Sequence, residues 1–421
     1  VSGLAPLPEH GLWAVAGAGG ARSAATSLQD AVTSDRLSHA WLLVGPDGVG
    51  QRELAIALAA TSNCRGEAPT RPCGDCDACL RTQRDVHPAL MTFEPDGAAH
   101  RVEDVRGAWN EAAMRTTPEA RRKVLRIVAA DRMNVAAQNA FLKLLEEPPA
   151  SVVWILEAED PGRLLETIAS RCRRIDLPPW SSADVRTWLG TQLGGGAGGG
   201  PEDAARIESA VCAARSSADW LRGMRRDLAG TGPRESREAL DTVARLRGEH
   251  LALVDVLAQE GPGSVVPTVK RIVGAAKARR EALADRQALE MGELEEAYGV
   301  EGPRGWPPGV KTRIEKRFER FERAEEQRTL RLTLDDLAGY LRDLVAVASG
   351  ASVDALINSD ATASLSRDAT RLHPADLLAA IAAVTTCREA LARNGAPELQ
   401  LERLLLAIAT SLYVRGATHA A

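Results

Sequence analysis

Between residues 39 and 60 the chain reads as an apolar run, a glycine loop and an apolar helix, and that order constrains the fold more than any other feature. His39-Ala-Trp-Leu-Leu-Val44 has the continuous apolar character of a strand buried on both faces, and Glu53-Leu-Ala-Ile-Ala-Leu-Ala-Ala60 reads as a helix with an apolar side. The segment between them, Gly45-Pro-Asp-Gly-Val-Gly-Gln-Arg52, keeps the frame of a phosphate-binding P-loop, G-x-x-x-x-G-K-[ST], at Gly45 and Gly50. Its chemistry is altered. Gln51 stands where the motif carries the lysine that bridges the outer phosphates, and Arg52 stands where a hydroxyl holds Mg²⁺. The frame predicts the shape of a nucleotide site with no ATP bound in it. A glycine loop alone is most often just a turn, so the reading depends on motifs further along the chain.

At 421 residues the chain is long enough for two or three domains, because single cores rarely grow past about 250–300 residues. Ala, Leu, Arg and Glu dominate after residue 180, which predicts an α/β beginning followed by an all-α remainder. The net charge of −5, from 52 basic and 57 acidic residues, excludes a chain that binds nucleic acid through a general basic surplus. No apolar stretch is long enough to span a membrane, and the start lacks a charged segment followed by an apolar one. A cytoplasmic location is expected.

Four of the seven cysteines fall in one short segment, as Cys64, Cys73, Cys76 and Cys79, with Pro72, Gly74 and Asp75 supplying turn chemistry. Thiolates at this spacing can converge on one tetrahedral Zn²⁺, and a site closed by four protein ligands is structural rather than catalytic. Disulfides are disfavoured in a cytosolic chain, while an iron–sulfur cluster would use the same ligands. His87 is not needed as a ligand. Cys172, Cys212 and Cys387 read as buried small hydrophobes.

Further on, Lys123-Val-Leu-Arg-Ile-Val-Ala129 reads as a second strand and Ala136 to Glu147 as a helix stopped by Pro148 and Pro149. Ser151-Val-Val-Trp-Ile-Leu156 is a further strand, leading through Leu164 to Ala169 into Ser170-Arg171-Cys172. The run Asn139-Ala-Phe-Leu-Lys-Leu-Leu-Glu-Glu-Pro-Pro149, followed by Ser170-Arg171-Cys172, resembles the signature of bacterial clamp-loader subunits of the AAA+ class. The cysteine quartet after the loop helix is also similar to that family's zinc module. Together these motifs cover residues 39 to about 180. The resemblance implies an AAA+ (RecA-like) parallel-sheet domain at 1–180 with a zinc module at 64–79. A helical lid at 181–232 and a helical collar at 233–421 would complete the chain.

Two branches of the family could carry these motifs, the ATP-hydrolysing gamma/tau motor and delta-prime. Counting back from Asn139, the paired acids that a motor uses to hold Mg²⁺ and activate water fall at Val128 and Ala129. Asp131 lies beyond them and is expected to cap the next helix or face solvent. The polar sensor of a motor corresponds to Ala158 or Glu159, and the nucleotide-sensing arginine of the lid to Asp219, with Arg222 nearby. These losses resemble delta-prime. In this family the arginine of Ser170-Arg171-Cys172 reaches across a subunit boundary to the γ-phosphate of a neighbour. The resemblance therefore implies that Arg171 acts in trans, with gamma/tau and delta as partners and with the sliding clamp and primed DNA reached through the complex. Arg173 and Arg174 beside it compete for the assignment.

Ser181-Ser-Ala-Asp184 offers an N-cap for a helix over 185–193, and helices are expected over 202–214 and 216–228. Gly194 to Gly200 reads as a flexible insertion. Leu330 to Val347 and Leu401 to Leu412 carry apolar faces suited to a collar. Within the collar domain, between the lid and these apolar helices, a heavily charged insertion at about 270–327 reads as a solvated helix pair broken at Gly302 to Gly309, with Arg279, Arg280, Lys311, Arg313, Lys316 and Arg317 as the first places for DNA contact. Residues 1–26 are weakly patterned. An active ATPase motor and a zinc-stabilised DNA-binding module are the competing readings.

Overall fold

The computed structural model describes residues 11–67, 71–95, 99–118, 120–194, 200–228, 232–298, 310–393 and 395–418. It divides into two compact units, Val1–Trp188 and Leu189–Ala421. The boundary falls inside the helix Ser182–Gln192, so the stretch anticipated as lid is divided: its residues up to Trp188 lie in the first unit, and the rest shares the second unit with the stretch anticipated as collar.

The first unit is built on a five-stranded parallel sheet in the order β2-β3-β4-β1-β5. The strands are β1 (Ala40–Val44), β2 (Leu90–Phe93), β3 (Lys123–Ile127), β4 (Val152–Ala158) and β5 (Arg173–Asp176). Both faces are covered, which is why β1 and β4 read as unbroken apolar runs rather than alternating ones. Trp41, Leu43, Val124, Val153 and Ile155 pack with Leu28, Leu54 and Leu58 of the helices Arg22–Thr33 and Gln51–Asn63. On the opposite face Leu42, Leu125, Trp154 and Leu156 meet Phe141 and Leu145 of the helix Val135–Glu146, together with Trp109 and Ile168. Trp109, Phe141 and Trp154 stack edge to face at 5.6 and 5.0 Å.

The described part of the weakly patterned start, residues 11–26, is largely helical. Leu12–Ala16 forms a short helix whose buried Trp13 donates its indole N–H to Thr61 Oγ1 at 2.9 Å. Alanine and glycine give no periodic signal there, and burial against the loop helix supplies the order. The buried Lys123 closes another element, donating from Nζ to the carbonyls of Ala112, Ala113 and Arg115 at 2.6–2.8 Å. These are the end of the helix Asn110–Met114, where a cation opposes the helix dipole.

The second unit is all helical among the described residues. Pro201–Ser216, Ala218–Asp227 and Pro233–Leu251 lead to two long helices, Val265–Tyr298 and Val310–Ala348. Its core gathers Leu330, Leu334, Leu337, Leu341 and Leu344 with Leu401, Leu404, Leu405, Ile408 and Leu412. The charged insertion is the outer half of the two long helices, running antiparallel. Arg279 meets Glu325, Arg280 meets Glu326, Glu290 meets Arg317 and Glu295 meets Lys311, so partners descend along one helix as they climb the other. The glycine-proline breaker at 302–309 and the run at 195–199 lie outside the described residues.

One buried polar knot explains why the lid-like helices belong to this unit. Asp336, fully buried, accepts from Ser216 Oγ at 2.6 Å and from the Trp220 indole at 3.1 Å. It also pairs with His250 Nδ1 at 2.8 Å, and His250 Nε2 lies 3.1 Å from Thr333 Oγ1. Asp336→Ala would leave these groups unpaired away from water, at a cost of about 3 kcal/mol or more. Urea unfolding of the variant is expected to show a correspondingly lower midpoint.

Candidate functional site

In a parallel sheet, ligand crevices form beyond the carboxyl ends of the strands where strand order reverses. Here that point is β1, flanked by β4 and β5, so the glycine loop after β1 faces the residues just beyond β4. Gly45 has no room for a side chain, since a Cβ would overlap the Leu177 carbonyl. Gly50 has φ 137°, a value side chains oppose.

The inside of the loop is filled by the chain itself. Gln51 is 3% exposed and turns back into the loop, donating from Nε2 to Pro46 O at 2.7 Å and accepting the Gly50 amide on Oε1 at 3.2 Å. Glu159, immediately after β4, accepts the Asp47 amide at 3.1 Å. The Trp180 indole donates to Val49 O at 3.0 Å. Two amides of a phosphate-cradling turn are thus already satisfied by uncharged or anionic side chains. Arg52 points outward and is exposed.

Under the loop lies a buried ion pair. Arg126 of β3 and Glu157 of β4 meet in a two-pronged contact at 2.5 and 2.9 Å, both less than a tenth exposed. Burial raises the Glu157 pKa from its ordinary value despite the Arg126 charge beside it; at Arg126 burial acts to lower the pKa, but the facing Glu157 outweighs it and keeps the guanidinium protonated. Removing either partner would strand a charge in the core. Val128 and Ala129 follow directly after β3 with no carboxylate between them; Ala129 adopts the left-handed conformation at φ 50°. Asp131 neither caps a helix nor faces solvent. It is buried and accepts the Asp160 amide at 3.1 Å, while Asn134 caps Val135–Glu146 through the Ala137 amide. The tight turn at Ala129–Arg132 directs Asp131 inward, which its spacing from Asn139 could not reveal.

Arg171 sits in the turn between the helix Glu166–Ala169 and β5. Its guanidinium donates from Nη1 to Thr167 O at 2.9 Å and from Nη2 to Glu146 Oε1 at 2.8 Å, with 39% of its side chain exposed. The neighbouring arginines are engaged differently: Arg173 lies over the Trp41 ring at 5.0 Å, and Arg174 binds Asp176 Oδ1 through two nitrogens at 2.9 and 2.7 Å.

Cys64 closes the loop helix Gln51–Asn63, and Cys79 lies on the helix Asp77–Gln83. The sulfurs of Cys64, Cys73, Cys76 and Cys79 all lie within 4.8 Å of one another, and the four thiols are free. A tetrahedral site with Zn–S bonds of about 2.3 Å needs sulfurs about 3.8 Å apart, so modest contraction completes it. Backbone amides of Gly66 and Cys73 point at Cys64 Sγ at 3.3 and 3.4 Å, and the Cys76 amide points at Cys73 Sγ at 3.4 Å. Donors aimed at sulfur favour thiolate. Burial pushes the Cys76 thiol up, but hydrogen bonds from Arg65, Cys79 and Cys73 outweigh it and bring the pKa to about 6. Burial and neighbouring sulfurs push Cys79 up. The quartet is positioned to hold a metal ion. His87 stays outside it, its Nδ1 accepting the Ala89 amide. Cys212 and Cys387 are buried, and Cys172 is half-buried against the sheet core.

Two family descriptions match this chain: "DNA polymerase III, delta subunit" over residues 20–181, and "DNA polymerase III, delta subunit, C terminal" over residues 322–410. The chain belongs to the DNA polymerase III clamp-loader family. It is 35% identical to DNA polymerase III subunit delta' of Pseudomonas aeruginosa over 218 residues, 51% of this chain and 63% of that one. It is 37% identical to the Bacillus subtilis subunit delta' over 152 residues, 36% of this chain and 46% of that one. The chain thus spans less than two thirds of the length of either relative. Against DNA polymerase III subunit gamma/tau of Mycobacterium tuberculosis the identity is 31% over 155 residues, 36% of this chain and 27% of that one.

In this clamp-loader chain most of the residues expected to sense nucleotide or contact DNA are engaged in ion pairs within the second unit. Asp219 is buried and pairs with Arg222 at 3.2 Å and Arg331 at 3.0 Å. Of the basic residues in the charged insertion, Arg279, Arg280, Lys311 and Arg317 each pair with a glutamate across the helix pair, while Lys316 is exposed. The Arg313 side chain lies outside the described residues. Gln51 as loop filler, the Arg126–Glu157 pair and the Glu146–Arg171 contact are not readable from spacing. Each depends on loop geometry or on strands and helices that meet only in the fold. Among the described residues no helix is long and apolar enough to cross a membrane.

Proposed function

We propose that this chain is a non-hydrolysing, delta-prime-like subunit of a bacterial replicative clamp loader, acting in the cytoplasm. It would bind no ATP itself and would lend Arg171 to the ATP site of an adjacent gamma/tau motor subunit. On its other side it would contact delta, and the sliding clamp and primed DNA would be engaged by the assembled complex. The cysteine quartet would hold a structural Zn²⁺ that ties the segment 64–79 to the end of the loop helix.

The observation that carries this reading is the self-filled glycine loop. A triphosphate carries several negative charges and is held by a lysine, a hydroxyl-bound Mg²⁺ and free loop amides. Here Gln51 occupies the interior, Glu159 places a carboxylate on the Asp47 amide, and Val128 and Ala129 offer no metal ligand. An incoming phosphate would have to displace one side chain and sit beside a second anion. Arg171, by contrast, is exposed at a turn, and a guanidinium fork suits charge developing on a transferred phosphoryl group.

Isothermal titration of the purified chain with Mg²⁺-ATP is expected to show no saturable binding into the millimolar range. Tight Mg²⁺-dependent binding with turnover by the isolated chain would establish the motor reading instead.

A further inference from the structure

We propose that Glu146 is a positioning residue for Arg171, holding its guanidinium where it can meet the neighbouring subunit's triphosphate; this rests on the trans-acting role proposed above. The arginine side chain is long and carries about 2 kcal/mol of rotamer entropy, so an unsupported fork at a surface turn would sample many directions. Two contacts restrict it. Nη1 is fixed to Thr167 O, a carbonyl of the short helix just before the turn, and Nη2 to Glu146 Oε1. Glu146 is the last residue of the helix Val135–Glu146, which Pro148 and Pro149 prevent from continuing, so its carboxylate has a defined origin.

The helix that carries Glu146 is itself fixed to the segment leading to Arg171. Buried Gln138 donates to Arg163 O at 3.0 Å and accepts the Leu165 amide at 2.7 Å. Glu146 and Arg171 therefore rest on one rigid support rather than on separate loops. The two contacts leave the remaining N–H groups of the fork for an external anion. Glu146 and Arg171 remain 50% and 39% exposed, so the pair is accessible at the surface. Arg173 and Arg174 lack an equivalent arrangement, since their cations are engaged by Trp41 and by Asp176.

The test is a double-mutant cycle in a loader reconstituted with gamma/tau and delta subunits, reading DNA-stimulated ATP turnover. Glu146→Ala is expected to lower kcat about fivefold with KM for ATP little changed, a size set by the modest strength of half-exposed ion pairs. Glu146→Gln, which keeps an oxygen acceptor for Nη2, is expected to recover most of the rate. Glu146→Ala combined with Arg171→Ala should be no slower than Arg171→Ala alone. Wild-type or faster turnover in Glu146→Ala, beside a slow Arg171→Ala, would overturn the positioning role while leaving the trans-acting arginine intact. Additive losses would overturn it as well. Unchanged turnover in Arg171→Ala would remove both.

Discussion

Arg171→Ala is expected to leave the chain folded and to lower DNA-stimulated ATP turnover of a reconstituted loader by at least tenfold at the site it serves. The folded state is safe because Arg171 contributes only a half-exposed ion pair and one carbonyl contact, interactions worth about 0–1 kcal/mol. The catalytic loss is large because a guanidinium delivered in trans acts only on charge that develops in the transition state; arginine fingers are worth about 10³–10⁵ in rate. In a ring with several ATP sites the bulk rate would fall less than the affected site does, so single-turnover measurement is the cleaner readout. Arg171→Lys is expected to recover little, because a point charge cannot present a planar fork. Turnover equal to wild type in single-turnover conditions would remove the arginine-finger role.

The second large effect concerns the metal. Purified protein is expected to carry one zinc per chain by elemental analysis, and Cys64→Ser or exhaustive chelation to lower the melting temperature by about 10 °C or more. Structural zinc sites supply about 10–16 kcal/mol of apparent binding energy at neutral pH, and loss of even part of it is large beside the marginal stability of a folded domain. Cys64 is the informative position. It is fully buried and ends the helix Gln51–Asn63, so loosening it reaches the element that carries the glycine loop. A metal-free preparation that melts with the wild-type profile would show that the quartet packs without an ion. Iron with visible absorption would assign a cluster instead.

Both expectations rest on motifs legible in the sequence, and the reasons for that legibility are local. The strand-loop-helix order at residues 39–60 leads to the parallel sheet because a strand buried on both faces and a loop helix leave few alternative architectures. The cysteine spacing leads to the quartet because four thiols so close in sequence have little chain to separate them. Ser181 capping also follows from local chemistry: its amide and hydroxyl both bond to Asp184. By contrast, residues 11–26, the described part of the weakly patterned start, are rich in alanine and glycine, which give little signal, and their order comes from burial of Trp13, Ala16 and Ala24 in the core of the first unit. Asp131 departs from expectation for a related reason. Its environment is set by the turn at Ala129 and by Asp160, which lies in another loop.

The residues alone establish the sheet-then-helices order, the missing lysine, hydroxyl and paired acids, the thiol cluster and the family resemblance. All of these are statements about which residue types occur at short range, where the covalent chain itself limits the possible geometry. What only the tertiary structure decided is what the unusual residues do: Gln51 fills the loop, Glu159 accepts its Asp47 amide, Arg126 and Glu157 pair beneath it, and Glu146 holds Arg171. The contacts of Glu159, Glu157 and Glu146 join residues far apart in sequence, through strand pairing and helix packing. Gln51 is the local exception: its partners are near in sequence, but its inward turn depends on loop dihedrals. Contacts of this kind form only when the hydrophobic core brings distant segments together, so no pattern along the chain could encode them visibly.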